Sequence, residues 1–479
     1  MTDIKNISSI YFAGIGGIGM SALARYFNEQ GVKVSGYDKT ETALTKKLIE
    51  EGIDIHFEDN VNLLDKNADI VVYTPAIPAT HSELNFYRQN NYTLLKRSDV
   101  LGLLTKDTFN ICVAGTHGKT TTSAMIAHIL KDSGYGCNAF LGGIAANYDT
   151  NFLPAQIISG GSSNNVSVVE ADEYDRSFLK LNPDVAIITA MDADHLDIYG
   201  TEENMQEAFI QFTERIKNGG CLIIKKGLKR IEDFKVADIC TYSFEDTDAN
   251  IHIDKLEIKN GAYQFNIINN FWTINEVVLN MGGLHNIENV MAAIGVAKYL
   301  KIDDDKIKAA VASFKGVKRR FEYVIPPSTQ IGERRGEVGL VFIDDYAHHP
   351  EELRALITGA KNLFPGKKCM VIFQPHLFSR TKDLADGFAE VLSMADETIL
   401  LPIYPARELP MPGVTSELIL EKMTNMSKKS MNKIELLEYL RSSKVPPLEG
   451  FREAGLLFIT AGAGDIDTLI QPIKNILEN

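Results

Sequence analysis

The sequence predicts an α/β protein built from three successive domains. Short apolar runs alternate along the chain with stretches that have the spacing of amphipathic helices. Two glycine-rich turns each lie between a predicted strand and a predicted helix. The length of 479 residues corresponds to three domains of roughly 150 residues each. Because strands that alternate with helices form parallel sheets with crossover helices, we expect domains over 1–106, 107–322 and 323–479.

The individual elements follow from the positions of the apolar runs. We expect a helix over 20–30 in the first domain and a helix over 121–133 in the middle domain. The predicted strands of the three domains are, in order, 7–13, 32–37 and 68–74; 108–114, 166–170, 185–190 and 221–225; and 339–344, 369–373, 398–401 and 456–460. The alternating runs 251–258 and 263–268 flank Lys-Asn-Gly, which predicts an antiparallel patch or hairpin. Residues 325–336 are expected to form a surface hairpin or loop.

Composition and charge limit the classes of function. Lysine and arginine total 49 and aspartate and glutamate total 63, which gives a net charge of −14. This acidic balance argues against a nucleic-acid binder and against stable membrane association, since both need a surplus of cations. We expect no signal peptide, because the first residues lack a basic region followed by an apolar stretch, and no membrane span, because polar residues interrupt every apolar run. The five cysteines are widely spread without a Cys-x-x-Cys pair, so we expect no disulfide framework or structural zinc and a soluble, cytoplasmic protein.

The first glycine-rich turn, Gly14-Ile-Gly-Gly-Ile-Gly-Met20, has the composition of a phosphate-binding loop. Glycines let backbone N–H groups approach a phosphate, and the start of the following helix adds a favourable partial charge. Asp38 lies 19 residues after Gly19, at the end of the next predicted strand, where a ribose hydroxyl is expected. The pattern is typical of NAD enzymes but suits any nucleotide diphosphate, and a tight turn without a ligand remains an alternative.

The second turn, Gly115-Thr-His-Gly-Lys-Thr-Thr121, is more specific. It ends in the Gly-Lys-Thr of a nucleoside-triphosphate loop, in which Lys119 would neutralise the β- and γ-phosphates and Thr120 would ligate Mg²⁺. It is two residues shorter than the usual pattern, since position 113 is valine. The alternative is a chance Gly-Lys-Thr in a surface turn, which the strand–loop–helix context disfavours.

Two polar clusters follow predicted strands of the middle domain. In Val168-Val-Glu-Ala-Asp-Glu-Tyr-Asp175, Glu170 is best placed at the strand end to bind the Mg²⁺ of a nucleotide. The other carboxylates of this segment are equally typical of an exposed acidic turn. His195, in Met191-Asp-Ala-Asp-His-Leu-Asp197, is a candidate for a second magnesium site. Imidazole is a less usual ligand for this hard cation, so a loop cap is the alternative there.

Taken in order, these motifs resemble the Mur ligase family, the ATP-dependent amide ligases of peptidoglycan precursor synthesis. The resemblance covers essentially the whole chain, because further motifs of the family follow in order. They are Asp194–Tyr199, His285-Asn-Ile-Glu-Asn289, Gly316-Val-Lys-Arg-Arg-Phe-Glu322, Asp344-Asp-Tyr-Ala-His-His-Pro350, Gln374-Pro-His376 and Ala461-Gly-Ala-Gly-Asp465. The run from His348 to Pro350 is also typical of a helix entry, with proline at the first helical position.

The resemblance implies an N-terminal Rossmann-like domain that binds a UDP-sugar, a central P-loop ATPase-like domain and a C-terminal Rossmann-like domain that binds an amino acid. The implied UDP-sugar contacts are Gly14, Gly16, Gly17, Gly19, Asp38 and Thr74. The implied ATP contacts are Gly115, Thr116, His117, Gly118, Lys119, Thr120, Thr121, Asn286, Asn289, Arg320 and Asp345. The implied magnesium ligands are Thr120, Glu170 and His195, the implied amino-acid contacts are Tyr346, His348, His376 and Arg380, and the implied catalytic residues are Lys119, Arg320 and His348.

The activity that the resemblance implies is ligation of L-alanine to the carboxylate of UDP-N-acetylmuramate through an acyl phosphate, with ATP and Mg²⁺, by a monomer or homodimer. The family's recycling ligase, which joins a tripeptide to the same sugar nucleotide, is the nearest alternative. An NAD-dependent oxidoreductase would use only the first loop and would leave Lys119 and the carboxylates unexplained. A non-catalytic nucleotide-binding module is disfavoured, because polar clusters follow strands in all three domains.

Two positions distinguish this chain within the family. Some sister ligases carry a lysine, carbamylated to hold magnesium, at the position fourteen residues after the histidine at 195, where this chain has Phe209. The absence of that lysine agrees with the alanine-adding branch. The alanine-adding pattern often has an arginine directly after Gln-Pro-His, where this chain has Leu377. We therefore expect Arg380 alone to pair with the carboxylate of the amino acid.

Overall fold

The computed structural model describes residues 4, 6–155, 165–192, 196–259, 261–327, 339–406, 408–442 and 455–478. The chain divides into two compact units. The first unit comprises Met1–Asp254, Asn266–Asn275 and Glu288–Val311, and the second comprises Lys255–Phe265, Glu276–Ile287 and Ala312–Asn479. The described residues form three sheets.

The first sheet has five parallel strands in the order β3-β2-β1-β4-β5. They are β1 (Ser9–Ala13), β2 (Lys33–Tyr37), β3 (Asp54–His56), β4 (Ile70–Tyr73) and β5 (Thr93–Lys96), with helices α1 (Ile18–Glu29), α2 (Ala43–Glu50), α3 (Ser82–Gln89) and α4 (Arg97–Thr105). The central strand β1 is buried along its whole length, as expected for an apolar strand in a parallel sheet. The strand order reverses between β1 and β4, which is the point where Rossmann-like sheets bind nucleotides.

The second sheet has ten strands in the order β15-β14-β13-β12-β11-β10-β6-β9-β7-β8. They are β6 (Phe109–Ala114), β7 (Asn138–Ala145), β8 (Thr150–Leu153), β9 (Val166–Glu170), β10 (Val185–Ile188), β11 (Cys221–Lys225), β12 (Asp238–Tyr242), β13 (Ile251–Lys259), β14 (Ala262–Asn269) and β15 (Trp272–Leu279). The accompanying helices are α5 (Lys119–Asp132), α6 (Leu196–Tyr199), α7 (Glu202–Thr213), α8 (Leu284–Tyr299) and α9 (Asp304–Ser313). Strand β6 pairs in parallel with both β9 and β10, so the carboxyl ends of these three strands lie together.

The third sheet has six strands in the order β16-β17-β21-β18-β19-β20. They are β16 (Glu322–Ile325), β17 (Val341–Asp345), β18 (Lys368–Phe373), β19 (Glu397–Leu400), β20 (Lys428–Ser430) and β21 (Leu456–Ala461). Strand β16 is antiparallel to β17, and the other neighbours are parallel. The helices are α10 (Pro350–Leu363), α11 (Phe378–Asp383), α12 (Ala385–Leu392), α13 (Glu417–Lys422), α14 (Lys433–Arg441) and α15 (Ile470–Leu477). No helix in the described part of the chain is long and apolar enough to cross a membrane.

Helix α1 packs against β7 and β8 within the first unit. The ring centroid of Tyr26 lies 5.6 Å from that of Phe140 and 5.8 Å from that of Phe152. Beside these rings, Asn151 donates to the hydroxyl of Ser21 at 2.9 Å and accepts a hydrogen bond from Arg25. These contacts fix the helix that begins at the first glycine loop against the second sheet.

The α/β fold class predicted from the sequence is confirmed. The prediction lacks the strands β3, β5, β7, β8, β12, β16 and β20. The three residues of β3 and of β20 are too few to show a clear period, and β7 contains two consecutive glycines, which are untypical of a strand. The hairpin predicted over 251–268 corresponds to the neighbouring strands β13 and β14. The loop predicted over 325–336 lies outside the described residues from position 328 onward. The domain boundaries near 106 and 322 stay a prediction.

Candidate active site

The first glycine loop follows β1 and begins α1. Gly14, with φ of +87°, and Ile15 donate backbone N–H bonds to the carbonyl of Tyr37 at 2.7 and 3.0 Å, which anchors the loop to the end of β2. Gly17 is exposed at the N-cap of α1, where no side chain caps the helix and no acidic residue lies in the first turn. The N–H groups of this turn are therefore suited to bind an anion.

Asp38 and Thr74, two of the implied UDP-sugar contacts, both lie at this loop. The Oδ2 atom of Asp38 accepts the backbone N–H of Gly16 at 2.8 Å, and a Cβ at Gly16 would come within 2.8 Å of the same oxygen. A Cβ at Gly14 would lie 2.7 Å from Cγ2 of Thr74. A larger residue at position 16 would displace the Asp38 side chain, and a larger residue at position 14 would displace the Thr74 side chain. The close packing of the loop therefore requires glycine at both positions.

The second glycine loop connects β6 to α5. Gly115 and Gly118 have φ values of +134° and +82°, a region that favours glycine. Lys119 is the first residue of α5, and its Nζ donates to the carbonyl of Gly115 at 2.6 Å and to Oε1 of Glu173 at 2.7 Å. The ammonium group therefore lies over the loop, and its charge is paired with a carboxylate whose side chain is fully buried.

Thr120 and Glu170 meet at the carboxyl ends of β6 and β9. The hydroxyl of Thr120 donates to Oε1 of Glu170 at 3.0 Å, and the N–H of Gly142 donates to Oε2 at 3.0 Å. A Cβ at Gly142 would lie only 2.2 Å from that oxygen, so the carboxylate depends on glycine there. A hydroxyl and a carboxylate side by side are the hard oxygen donors that Mg²⁺ prefers, so these residues fit the ion. His195, the third implied ligand, lies outside the described residues.

The remaining loop residues bind the segment that follows β10. The hydroxyl of Thr116 accepts the N–H of Asp192 at 3.2 Å, and the carbonyl of His117 accepts the hydroxyl of Thr189. Thr121 is buried in the first turn of α5. These contacts hold the loop against the neighbouring strand end.

Asn289 is brought to the second loop from α8. Its Oδ1 accepts the hydroxyl of Thr122 at 3.2 Å, and a Cβ at Gly118 would lie 2.7 Å from the same oxygen. Asn286, at the start of α8, is buried and donates to the carbonyl of Gly282 at 2.6 Å. Asn289 therefore lies beside the second loop, whereas the amide of Asn286 binds its own preceding turn.

In the second unit, the four implied amino-acid contacts lie close together. The ring of His348 lies between those of Tyr346 and His376, at centroid distances of 5.2 and 6.0 Å. Nη1 of Arg380 lies 3.5 Å from Nδ1 of His376. Tyr404 stacks on His376 with centroids 5.8 Å apart and planes 15° apart. Because these residues follow β17, β18 and β19, they form a row of rings with a cation at the carboxyl edge of the third sheet.

The hydrogen bonds of His348 define its tautomer. Its Nδ1 lies 3.0 Å from the carbonyl of Tyr346, which can only accept, so Nδ1 carries the proton and Nε2 keeps a lone pair. Burial lowers the pKa of His348, and burial together with the charge of Arg380 lowers the pKa of His376. Both imidazoles are therefore neutral at neutral pH, and Nε2 of His348 can accept a proton.

The two arginines before β16 have different environments. Arg319 donates to the carbonyl of Gly462, lies 3.4 Å from Oδ2 of Asp344 and has its guanidinium 5.2 Å from the ring centroid of Tyr346. Arg320 is exposed. Arg319 thus holds the strand ends together, whereas the side chain of Arg320 can reach a ligand.

Asp344 and Asp345 end β17. Both oxygens of Asp345 accept backbone N–H groups, from Phe321 at 2.6 Å and from Ala347 at 2.7 Å. Burial raises the pKa of Asp344 to about 7 and that of Asp345 to about 6. The carboxylate of Asp345, an implied ATP contact, thereby also fixes the turn that presents Tyr346.

Sequence reasoning did not single out three residues of these clusters. In the sequence, Glu173 looks like one more carboxylate of an exposed acidic turn, and only the fold brings it to Lys119. The sequence also gives no reason to assign different roles to the adjacent arginines Arg319 and Arg320. Tyr404 could have been predicted as a site residue from its position. It comes shortly after β19, just as Tyr346 and His376 come shortly after β17 and β18.

Family models match three successive stretches of the chain. The Mur ligase family catalytic domain matches residues 9–108, the Mur ligase middle domain matches 113–297, and the Mur ligase glutamate ligase domain matches 330–444. The chain belongs to the Mur ligase family. Its relatives include the UDP-N-acetylmuramate–L-alanine ligase of Flavobacterium johnsoniae, 46% identical with 99% of each chain covered. The enzyme of the same name from Cytophaga hutchinsonii is 45% identical, with 99% of this chain and 98% of the relative covered.

A solved Mur ligase structure has the same fold. The UDP-N-acetylmuramate-alanine ligase of Thermotoga maritima superimposes with a TM-score of 0.78 at 27% identity, and the match covers 98% of both chains. The three-domain Mur ligase architecture expected from the motifs is therefore confirmed, as is the family assignment.

Proposed function

We propose that this Mur ligase joins L-alanine to the carboxylate of UDP-N-acetylmuramate in peptidoglycan precursor synthesis, converting ATP to ADP and phosphate. The observation that carries the proposal is the second loop of the first unit, where Lys119 lies over the backbone and Thr120 meets Glu170. The full-length relatives that carry the L-alanine ligase name support the choice of substrates. The five unpaired thiols agree with a reducing, cytoplasmic location.

The chemistry explains why these residue types are needed. A carboxylate is a poor acyl donor, so transfer of the γ-phosphoryl group to it creates an acyl phosphate that the amine of alanine can attack. Catalysis of phosphoryl transfer is mostly positioning and charge neutralisation, which we assign to Lys119 and Arg320. Thr120, Glu170 and His195 would hold Mg²⁺, which supplies further neutralisation of the phosphates.

The remaining assignments follow the resemblance to the family. Gly14, Gly16, Gly17, Gly19, Asp38 and Thr74 would bind the UDP-sugar, and Gly115–Thr121 with Asn286, Asn289, Arg320 and Asp345 would bind ATP. Tyr346, His348, His376 and Arg380 would bind alanine, with the guanidinium of Arg380 on its carboxylate. We also propose that the three domains span 1–106, 107–322 and 323–479. The protein would act as a monomer or a homodimer.

His348 is the candidate base for the amine, and this gives a pH prediction. A base is active when neutral, and a lowered pKa keeps His348 neutral to more acidic pH than an ordinary imidazole. At saturating substrates, kcat should therefore fall only when the pH drops below about 6.5. In a pH series, His348→Gln should lower kcat about 100-fold and remove this acid limb.

The matched control for the pH series is His349→Asn. His349 is the exposed N-cap residue of α10, and asparagine keeps a capping side chain. This variant should keep both the rate and the acid limb. An unchanged acid limb in His348→Gln would show that another group takes the proton.

A phosphate-release assay with two acceptors tests the proposed substrate. With ATP, Mg²⁺ and UDP-N-acetylmuramate present, L-alanine should stimulate phosphate release, whereas L-alanyl-γ-D-glutamyl-meso-diaminopimelate should not. Preference for the tripeptide would assign the chain to the recycling reaction instead. Binding of NADH in place of ATP would contradict the ligase proposal altogether.

A further inference from the structure

The acidic turn, Asp172–Asp175, forms ion pairs with basic side chains at the end of the first sheet. Asp172 Oδ2 lies 3.2 Å from Nη2 of Arg97, and Asp175 Oδ2 lies 3.1 Å from Nζ of Lys96. The same turn contains the glutamate that pairs with the lysine of the second loop. The turn therefore pairs with basic side chains from the first sheet and from the second loop.

Arg97 also lies against the first glycine loop. It is the first residue of α4, directly after β5, so it stands at the carboxyl edge of the first sheet like the loop itself. A Cβ at Gly19 would lie 2.8 Å from Nη1 of Arg97 and 3.0 Å from its Cδ. The guanidinium therefore lies over the first turn of α1, where the backbone N–H groups favour an anion.

The chemistry of this position is that of a diphosphate contact. A guanidinium donates in a planar fork that matches phosphate oxygens, and its charge adds to that of the helix start. The side chain is a quarter exposed, and the structure shows it with one carboxylate partner, so donors of the fork can face a ligand at the loop. Asp172 fixes the guanidinium in this orientation.

We infer that Arg97 binds the diphosphate of the UDP-sugar at the first glycine loop, with Asp172 as its positioning residue. The inference rests on the proposed function, since it presupposes a nucleoside diphosphate at that loop. It adds a cation from the end of the first sheet to a site whose implied contacts otherwise include no positively charged side chain.

Isothermal titration of the full chain with UDP, UMP and ADP tests the inference. Arg97→Gln should raise the Kd for UDP about tenfold, as expected for the loss of a charged hydrogen bond. The Kd for UMP should rise less, so the preference for UDP over UMP should shrink, which a merely structural role would not produce. Binding of ADP at the second loop should stay unchanged and reports a folded first unit.

Three further variants serve as a control, a conservative substitution and a change of the positioning residue. Lys96→Gln removes the neighbouring cation and an ion pair with the same turn, and should leave all three affinities unchanged. Arg97→Lys keeps the charge without the fork, so its Kd for UDP should lie between those of wild type and Arg97→Gln. Asp172→Asn should weaken UDP binding more than ADP binding.

The outcomes separate the inference from the proposed function. Wild-type affinity for UDP in Arg97→Gln and Arg97→Lys, or equal losses for UDP and UMP, would overturn the role of Arg97 and leave the ligase proposal standing. Failure of the wild-type chain to bind UDP would overturn both.

Discussion

Replacing Lys119 with alanine is expected to abolish amide formation while UDP binding survives. The ammonium group lies over the second loop, 2.6 Å from the carbonyl of Gly115, where it would neutralise the transferred phosphoryl group. Its loss should lower kcat at least about 1,000-fold. Phosphate release measures the rate, and titration with UDP reports the first loop independently.

The control must separate catalysis from folding, because Glu173 is fully buried against Lys119. Removal of one member of a buried ion pair destabilises a protein by several kcal/mol. The double variant Lys119→Ala/Glu173→Gln removes the uncompensated charge and should recover thermal stability without recovering ligation. Lys131→Ala, in the last turn of the same helix, should keep both activity and stability. Near-wild-type ligation in Lys119→Ala would refute the loop assignment.

Replacing Arg380 with alanine should raise the KM for L-alanine far more than the KM for ATP. Arg380 is the cationic end of the row of rings and lies 3.5 Å from His376. The family arginine that often accompanies it is Leu377 in this chain, so no second guanidinium of that motif can compensate. Loss of a charge-assisted bond to the carboxylate corresponds to a rise of about 10- to 100-fold in KM.

Initial-rate kinetics with each substrate varied in turn measure this effect. Lys382→Ala is the matched control, because Lys382 is an exposed cation on the same helix, α11. It should leave both KM values unchanged. Equal increases in the KM for L-alanine and for ATP in Arg380→Ala would show that Arg380 acts through structure and not through the amino acid.

The fold could be predicted from the sequence where burial dictates the pattern. Strands such as β1 and β6 are apolar runs covered on both faces, and the glycine turns after them mark the strand–helix junctions. Prediction failed for the three-residue edge strands β3 and β20, because their pairing depends on neighbours distant in sequence. It also failed for β7, an eight-residue strand within the second sheet, because its two consecutive glycines are untypical of a strand.

The candidate site was predictable only where a motif fixes local geometry. The Gly-Lys-Thr sequence predicts a phosphate-binding role for Lys119, and in the structure its ammonium group lies 2.6 Å from the carbonyl of Gly115 in the same loop. The pairing of Lys119 with Glu173 is a tertiary contact across 54 positions, and the contact of Arg97 with Asp172 spans 75. No periodicity encodes such contacts. They depend on how the sheets pack, so only the structure reveals them.

The central claim is that the γ-phosphoryl group of ATP activates the carboxylate of the sugar nucleotide before the amine attacks. Ligation with UDP-N-acetylmuramate labelled with ¹⁸O in both carboxylate oxygens tests it directly, because attack on an acyl phosphate leaves the bridging oxygen on phosphate. Mass spectrometry of the released phosphate should find one ¹⁸O atom for each amide formed. Phosphate without ¹⁸O, released in step with amide formation, would contradict the acyl-phosphate account.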